Sequence, residues 1–481
     1  MALNRKIRRI LFWVCVGLFL IVGSFLVVYS YGYRLNFDTW QFTQTGGLYV
    51  RTSPKMADIY LGDKPLDQKA SLLSSGVLAK SIIPKTYQLT ISKDGYFDWT
   101  KKIKIEAAMV NNFTHVVLLP KISLKDDFFA ATSTSAIIAF KPITNGEEMI
   151  LETRDKNKDG LYHSLSIFNK SKGTLLGVFQ RKTTQNDGLN WMPNLVIDGD
   201  DANRIMISSL DKSSGRTTLY LWDRSEPDNI SNFSQVLANY FSTKIIKVAF
   251  HPFEANKFLV QTSTKLAILD LDKKEVVNLP ANNPTDFLVN GDDIFWIDKD
   301  ASIFSYNLIF NNVSPIAVLD NPKGVISAWS ISSNSKYTGV LFNNNQLVVV
   351  QAGQQPAIIS YAATNFSFSL DNKKLAYSEK DGTIKVYFLE DLVQDIIKKA
   401  SDKILIGNFG NGLDKFIWYK DSFHLLIKSG GKISFAEIDD RDKVNIFDFS
   451  FDAGNYWLDR SGLVFRLASP VIERINLAIG E

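Results

Sequence analysis

The sharpest local pattern is Asp155-Lys-Asn157-Lys-Asp159-Gly160-Leu161. The spacing D-x-[DN]-x-[DN]-G sets three side-chain oxygens about one tight turn, and glycine lets the backbone curl around a hard cation. Calcium is the ion such a loop would hold, with Asp155, Asn157 and Asp159 as ligands. The set is incomplete: His163 and Ser166 stand where the later ligands would fall, and Ser166 takes the place of the closing bidentate glutamate. Three ligands of this kind bind calcium weakly. A polar hairpin joining residues 149–153 to 162–168 accounts for the same residues. The acidic run Asp198-Gly-Asp-Asp201 and the pairs Asp292-Asp293 and Asp439-Asp440 read as solvated turns.

Catalytic chemistry has little to work with. The histidines are His115, His163, His251 and His424, and no two have metal-ligand spacing. Cys15 is the only cysteine, so neither a C-x-x-C pair nor a disulfide can form. It lies in an apolar segment without the small residues of a lipoprotein cleavage site, and reads as a small apolar residue of a helix. There is no P-loop, no G-x-G-x-x-G and no G-x-S-x-G nucleophile elbow. A glycosidase needs only two carboxylates ~5–10 Å apart, and the 50 acidic residues leave that chemistry available. The formal net charge of +4 is small for 481 residues, and Arg5, Lys6, Arg8 and Arg9 supply four of the positive charges. The remainder lacks the concentrated basic stripe that nucleic acid requires.

Any site must be positioned from a membrane anchor. Residues 11–29 carry no charge, and they have about the length a helix needs to cross ~30 Å of hydrocarbon. Leu11, Trp13, Leu18, Leu20, Ile21, Leu26 and Tyr29 are its anchoring side chains. Basic residues stay cytoplasmic and aromatic rings settle at the interface. Arg5, Lys6, Arg8 and Arg9 on one side, and Tyr29, Tyr31, Tyr33 and Trp40 on the other, therefore predict a single-pass inner-membrane protein with its N-terminus inside. A cleaved signal peptide would have a shorter apolar core followed by small residues, whereas Ser30-Tyr31-Gly32-Tyr33-Arg34 is bulky. The predicted order is a cytoplasmic arm (1–10), the anchor (11–29) and a juxtamembrane stalk (30–45).

From Gly46 the pattern becomes period-two, with Gly, Pro and Asp turns, which describes a small antiparallel β-sandwich. The residues Val50-x-Thr-x-Pro54-x-x-Ala57-x-Ile59-Tyr60-Leu61-Gly62 and Ile83-Pro84-x-x-Tyr87-x-Leu89-x-Ile91-x-Lys93-x-Gly95-Tyr96 resemble the PEGA domain, a small β-domain of bacterial cell-envelope proteins. Pro54-Lys55-Met56-Ala57 keeps the first and last residues of the name-giving motif. The resemblance implies a PEGA-like domain over 46–120 on an envelope protein.

Residues 121–481 repeat one unit, clearest from Phe366 to Leu389: strand, Asp/Asn turn, strand, Asp381-Gly382 hairpin, strand. Recurrence every ~30–50 residues predicts a β-propeller. Seven repeats are clear. A partial eighth would close the ring with a strand near 116–119 or 128–130. Residues 390–399 are the one helix-period stretch. Trp191, Trp222, Trp296, Trp329, Trp418 and Trp457 read mostly as inter-blade core. The texture resembles TolB-like and WD-like extracytoplasmic propellers. The fold class is thus all-β: an N-terminal transmembrane helix, a PEGA-like β-sandwich, and a seven- or eight-bladed propeller, with two stacked sandwiches as the competing architecture. The expected function is non-enzymatic binding or scaffolding at the cell envelope, with one propeller face engaging a protein or surface glycan. The competing expectation is an envelope polysaccharide hydrolase, marked by paired carboxylates converging in the propeller funnel. No cofactor other than calcium is implied.

Overall fold

The computed structural model describes residues 5–36, 40–66, 76–122, 124–131, 135–143, 147–157, 160–183, 195–197, 203–211, 216–226, 230–319, 324–393, 395–450, 456–460, 462–468 and 470–477. The chain opens with a helix, Arg5–Ser30, long and apolar enough to cross a membrane. Leu11, Trp13, Leu18, Leu20, Ile21, Leu26 and Tyr29 are all exposed on it, as lipid-facing residues are. The stretch read as a stalk is a hairpin, Tyr33–Asn36 with Gln41–Gln44. The Arg34 guanidinium stacks 3.4 Å over the Tyr29 ring and donates to the Tyr29 carbonyl at 2.8 Å, which fixes the exit from the helix.

Two sheets form the small domain. One pairs Val77–Ile82, Gly46–Ser53 and Val110–Val117; the other runs Lys64–Pro65, Asp58–Leu61, Thr86–Ser92, Trp99–Lys104. Leu48, Val50, Ile59, Leu89, Ile91, Trp99, Ile103 and Phe113 fill the space between them. The sandwich is not wholly antiparallel. Val110–Val117 returns from the opposite sheet and enters beside Gly46–Ser53 in the same direction, so that pair is parallel.

Eight four-stranded antiparallel sheets follow as the blades of a propeller. Blades 1 to 7 comprise 135–183, 196–232, 245–282, 284–318, 326–360, 363–408 and 413–450. Blade 8 takes its three inner strands from Tyr456–Leu458, Leu463–Ala468 and Val471–Asn476, and its outermost strand from Leu124–Ala130. Both ends of the propeller chain are thereby hydrogen-bonded into one sheet, and a closed ring leaves no long free edge. Of the two closing strands the sequence offered, the later one closes the ring; Val116 and Val117 belong to the small domain.

Each neighbouring pair of blades shares an apolar core. Trp222 packs between blades 1 and 2, Phe233 and Phe258 between 2 and 3, and Phe287 and Trp296 between 3 and 4. Val340 and Phe342 follow between 4 and 5, Tyr337 and Tyr377 between 5 and 6, and Trp418 between 6 and 7. Phe435 and Val464 join blades 7 and 8, and Phe128, Met149 and Phe465 join 8 to 1. Burying each such side chain contributes ~1.5–3 kcal/mol, so the blades hold one another by their faces.

Two local expectations change. The described residues of 389–402 form no helix; they make an irregular loop drawn together by the Leu392–Lys398 bridge. Leu392 and Ile396 both turn into the core between blades 6 and 7, and that four-residue spacing imitates a helix face. A six-residue helix lies instead at Phe233–Ala238, where the Asn232 side chain caps the Gln235 amide.

Candidate functional site

In an up-and-down blade, the first–second and third–fourth strand turns lie on one face of the ring. The second–third turns and the inter-blade connections lie on the other. The small domain occupies the first face, at blades 6 and 7. Lys101 is fully buried there, with Nζ 2.7 Å from Glu437 Oε1 and donating to the carbonyls of Asp439 (2.6 Å) and Lys443 (2.5 Å). Trp99 Nε1 donates to Glu437 Oε2 at 2.8 Å, and the Asn445 amide to Glu437 Oε1 at 2.9 Å. Arg441 lies 3.8 Å over the Phe113 ring and donates to the Asn112 carbonyl. Burial pushes the Glu437 carboxyl upward against the pull of Lys101.

Next to this clamp, Thr114 Oγ1 donates to Asp395 Oδ2 at 2.6 Å, and the His115 ring stacks on Phe423 with centroids 3.5 Å apart. Burial lowers the His115 pKa, with Asp395 and Asp421 opposing the shift. His424 Nδ1 meets Asp421 Oδ2 at 2.6 Å. The first-turn geometry that presents Asp421 recurs around the ring. Asn334, Asp371 and Asp421 each accept backbone amides of their own turn, and the residue after each (Ser335, Asn372, Ser422) has positive φ.

The other face is free of the small domain and carries the mouth of the central channel. A β-bulge sits near the start of the innermost strand in blades 1, 3, 4, 5, 6 and 7, at Ile138, Ile246, Thr285, Ser327, Thr364 and Asp414. A bulge re-aims its side chain out of the sheet alternation, and all of these except the half-buried Ile138 are exposed.

Just inside the mouth, Lys247 Nζ bonds Asp286 Oδ1 at 2.8 Å, and Trp329 Nε1 donates to Asp286 Oδ2 at 2.7 Å. This one carboxylate ties together blades 3, 4 and 5. Across the channel, Lys415 Nζ lies 5.0 Å over the Trp457 ring and Asp414 pairs with Lys428 at 2.6 Å. Lys141 stands deeper; burial lowers its pKa first, and the Lys415 charge lowers it further. A pocket of about 360 Å³ beside the mouth is lined by Thr364, Asn365, Glu379, Lys380, Asn411 and Asp414. Val325 and Tyr361, on neighbouring inter-blade connections of this face, are each 72% exposed.

Asp286 and Asp414 are the carboxylates of the described innermost strands. They come from blades 4 and 7, and each is bound by a lysine. The raised carboxyl, Glu437, is taken up by the domain clamp. This arrangement offers donors, cations and aromatic faces to a bound partner.

Asp155 and Asn157 lie within a strand, Glu148–Asn157, which pairs Asn157 with Gly160 across a two-residue hairpin. Asp155 Oδ2 accepts from Thr153 Oγ1 (3.0 Å) and Ser164 Oγ (2.9 Å). Asp159, the run 198–201 and Trp191 lie outside the described residues. His163, at the ninth loop position, is buried with its Nε2 2.7 Å from Glu152 Oε1. Among the described residues no group of three or more His, Cys, Asp and Glu side chains converges as a metal site. Trp222, Trp296 and Trp418 are core, whereas Trp329 and Trp457 are half-buried at the channel.

Sequence reasoning missed Lys247, Asp286 and Lys415. A signal was present: Ile246-Lys247, Thr285-Asp286, Thr364-Asn365 and Asp414-Lys415 interrupt the period-two alternation at the head of a strand, as a bulge requires.

Residues 45–117 match the PEGA domain family, so the chain carries a PEGA domain. No curated protein matches the chain. Solved structures similar to it include the C-terminal WD40 domain of Sif2, 12% identical, covering 74% of this chain and 98% of that one with a TM-score of 0.44. The computationally designed Ika8 protein is 12% identical and covers 73% and 98%, with a TM-score of 0.43. Hsv2p of Kluyveromyces lactis is 10% identical and covers 66% and 100%, with a TM-score of 0.39. The propeller itself rests on the strand order and the shared inter-blade cores.

Proposed function

We propose that this chain is a membrane-anchored binding and scaffold protein of the bacterial cell envelope. Its N-terminus lies inside and its body is extracytoplasmic. The propeller face remote from the PEGA domain engages an envelope protein or surface glycan. The observation that carries this reading is the division of labour between the two faces. The PEGA domain is locked onto one face by a buried ion pair, and the other presents a bulge-lined channel mouth and the exposed Val325 and Tyr361. Exposed apolar residues with polar neighbours mark recognition surfaces, and a rigid ring keeps the ordering cost of binding low. The basic residues before the span and the aromatic residues after it support the topology.

The test is cross-linking and pull-down of the full chain from intact envelopes, with a glycan array in parallel. The Tyr361→Glu and Val325→Glu variants should lose the partner that the parent recovers while melting as the parent does. An empty pull-down together with a silent array would sink the reading.

A further inference from the structure

A cleft of about 680 Å³ opens between the PEGA domain and the first turn of blade 7. Its walls carry Arg51, Lys55 and Lys93 from the PEGA domain and Lys420 from the propeller. Arg51 Nε donates to the Thr114 carbonyl at 3.0 Å and Lys93 Nζ to the Lys55 carbonyl at 2.7 Å, while Lys420 Nζ stands 5.5 Å from the Tyr419 ring. Among the described residues none of these four cations is ion-paired. Asp421, the one acid lining the cleft, is already occupied by His424 and by the amides of Phe423 and His424. Against its burial, those contacts hold its carboxyl below the usual range. His115, whose pKa burial lowers, also lines the cleft.

Four positive charges lining one partly enclosed cleft repel one another, and their summed field favours an anion. A guanidinium fork with several ammonium groups suits the oxygens of a phosphate. The volume falls in the range of small-molecule pockets, ~300–1,000 Å³, with room beyond one inorganic ion. We propose that this interdomain cleft binds a small phosphate ester, held by Arg51, Lys55, Lys93 and Lys420. The ester comes either as a free molecule or as a lipid headgroup. The site is separate from the remote propeller face, so either reading can fail without the other.

The experiment is calorimetric titration of glycerol phosphate into the full chain, in nanodiscs of phosphatidylcholine and in nanodiscs containing phosphatidylglycerol. Binding is expected in the neutral discs, weakening as sodium chloride rises. An unchanged affinity in the anionic discs assigns the site to a free ester; a several-fold drop assigns it to the competing headgroup. Arg51→Ala with Lys420→Ala should weaken binding at least tenfold. Lys55→Ala with Lys420→Ala should do the same should the first pair fail to fold. Lys299→Ala, in the exposed second–third turn of blade 4 on the other face, should bind as the parent does. Absence of binding in both discs, or parental affinity in a folded double variant, overturns the proposal.

Discussion

Replacing Lys101 by methionine isolates what holds the two domains together. The side chain has no exposed surface, and its ammonium serves Glu437 and the carbonyls of Asp439 and Lys443. Methionine fills most of the volume and removes the charge. Glu437 then stays buried with only the Trp99 indole and the Asn445 amide as donors, and two carbonyls lose their partner. Removing one member of a buried pair costs ~3–5 kcal/mol. The two remaining donors place this case near the middle, at about 4 kcal/mol. At 1.4 kcal/mol per tenfold, the undocked population rises roughly 10³-fold. Hydrogen exchange of the full chain reads this directly in segment 99–104, whose Lys102 amide donates across the junction to Asp442 Oδ2 at 2.8 Å. Lys101→Met with Glu437→Leu removes the orphaned charge and should recover most of the loss, because an apolar replacement of a whole buried pair is near neutral. Parental exchange in Lys101→Met would refute the clamp. Equal damage in the single and double variants would show that packing, rather than charge, holds the junction.

Phe128→Ala should lower stability by ~3–5 kcal/mol, read by denaturant unfolding, because Phe128 sits in the core that joins blade 8 to blade 1. The His115 pKa is lowered by burial in the folded chain, so below its ordinary value of 6.5 the unfolded chain binds a proton that the folded chain refuses. Stability is therefore complete above pH 6.5 and falls as the pH drops through that value. His115→Phe keeps the ring on Phe423 and should flatten the melting temperature between pH 5 and 7; a slope identical to that of the parent would contradict this. Asp155→Ala should cost about 1–2 kcal/mol through two lost hydroxyl bonds. Calcium should leave the parent melting temperature unchanged, since the Asp155 carboxylate is spent inside the sheet; a calcium-dependent rise that Asp155→Ala abolishes would restore the cation loop.

The architecture was legible where one local rule sufficed. A charge-free run bounded by arginine and tyrosine marks the helix, and period-two runs with Asp-Gly turns mark the blades. Period two says nothing about a bulge until the alternation fails, so the ring of Lys247, Asp286 and Lys415 went unread. The Lys101–Glu437 pair joins residues 336 positions apart on two domains, and no local pattern encodes it. Leu392 and Ile396 misled because a loop that buries every fourth residue looks like a helix. Asp155-x-Asn157 stays ambiguous in sequence because cation loops and hairpins draw on the same turn-forming residues.

The strand Leu124–Ala130 is made soon after the PEGA domain, yet its partner Val471–Asn476 is synthesised only after the seven other blades. Domains fold roughly in the order in which they emerge, so this strand waits through the making of seven blades. Until then Met149 and Leu151 of blade 1, and Phe435 and Phe449 of blade 7, lack their blade 8 cover. A chain cut short before blade 8 would keep its N-terminal helix and its PEGA domain but display two bare apolar blade faces. Synthesis of blade 8 is thereby coupled to loss of sticky surface, and proteases and chaperones would meet an unfinished copy as an open ring.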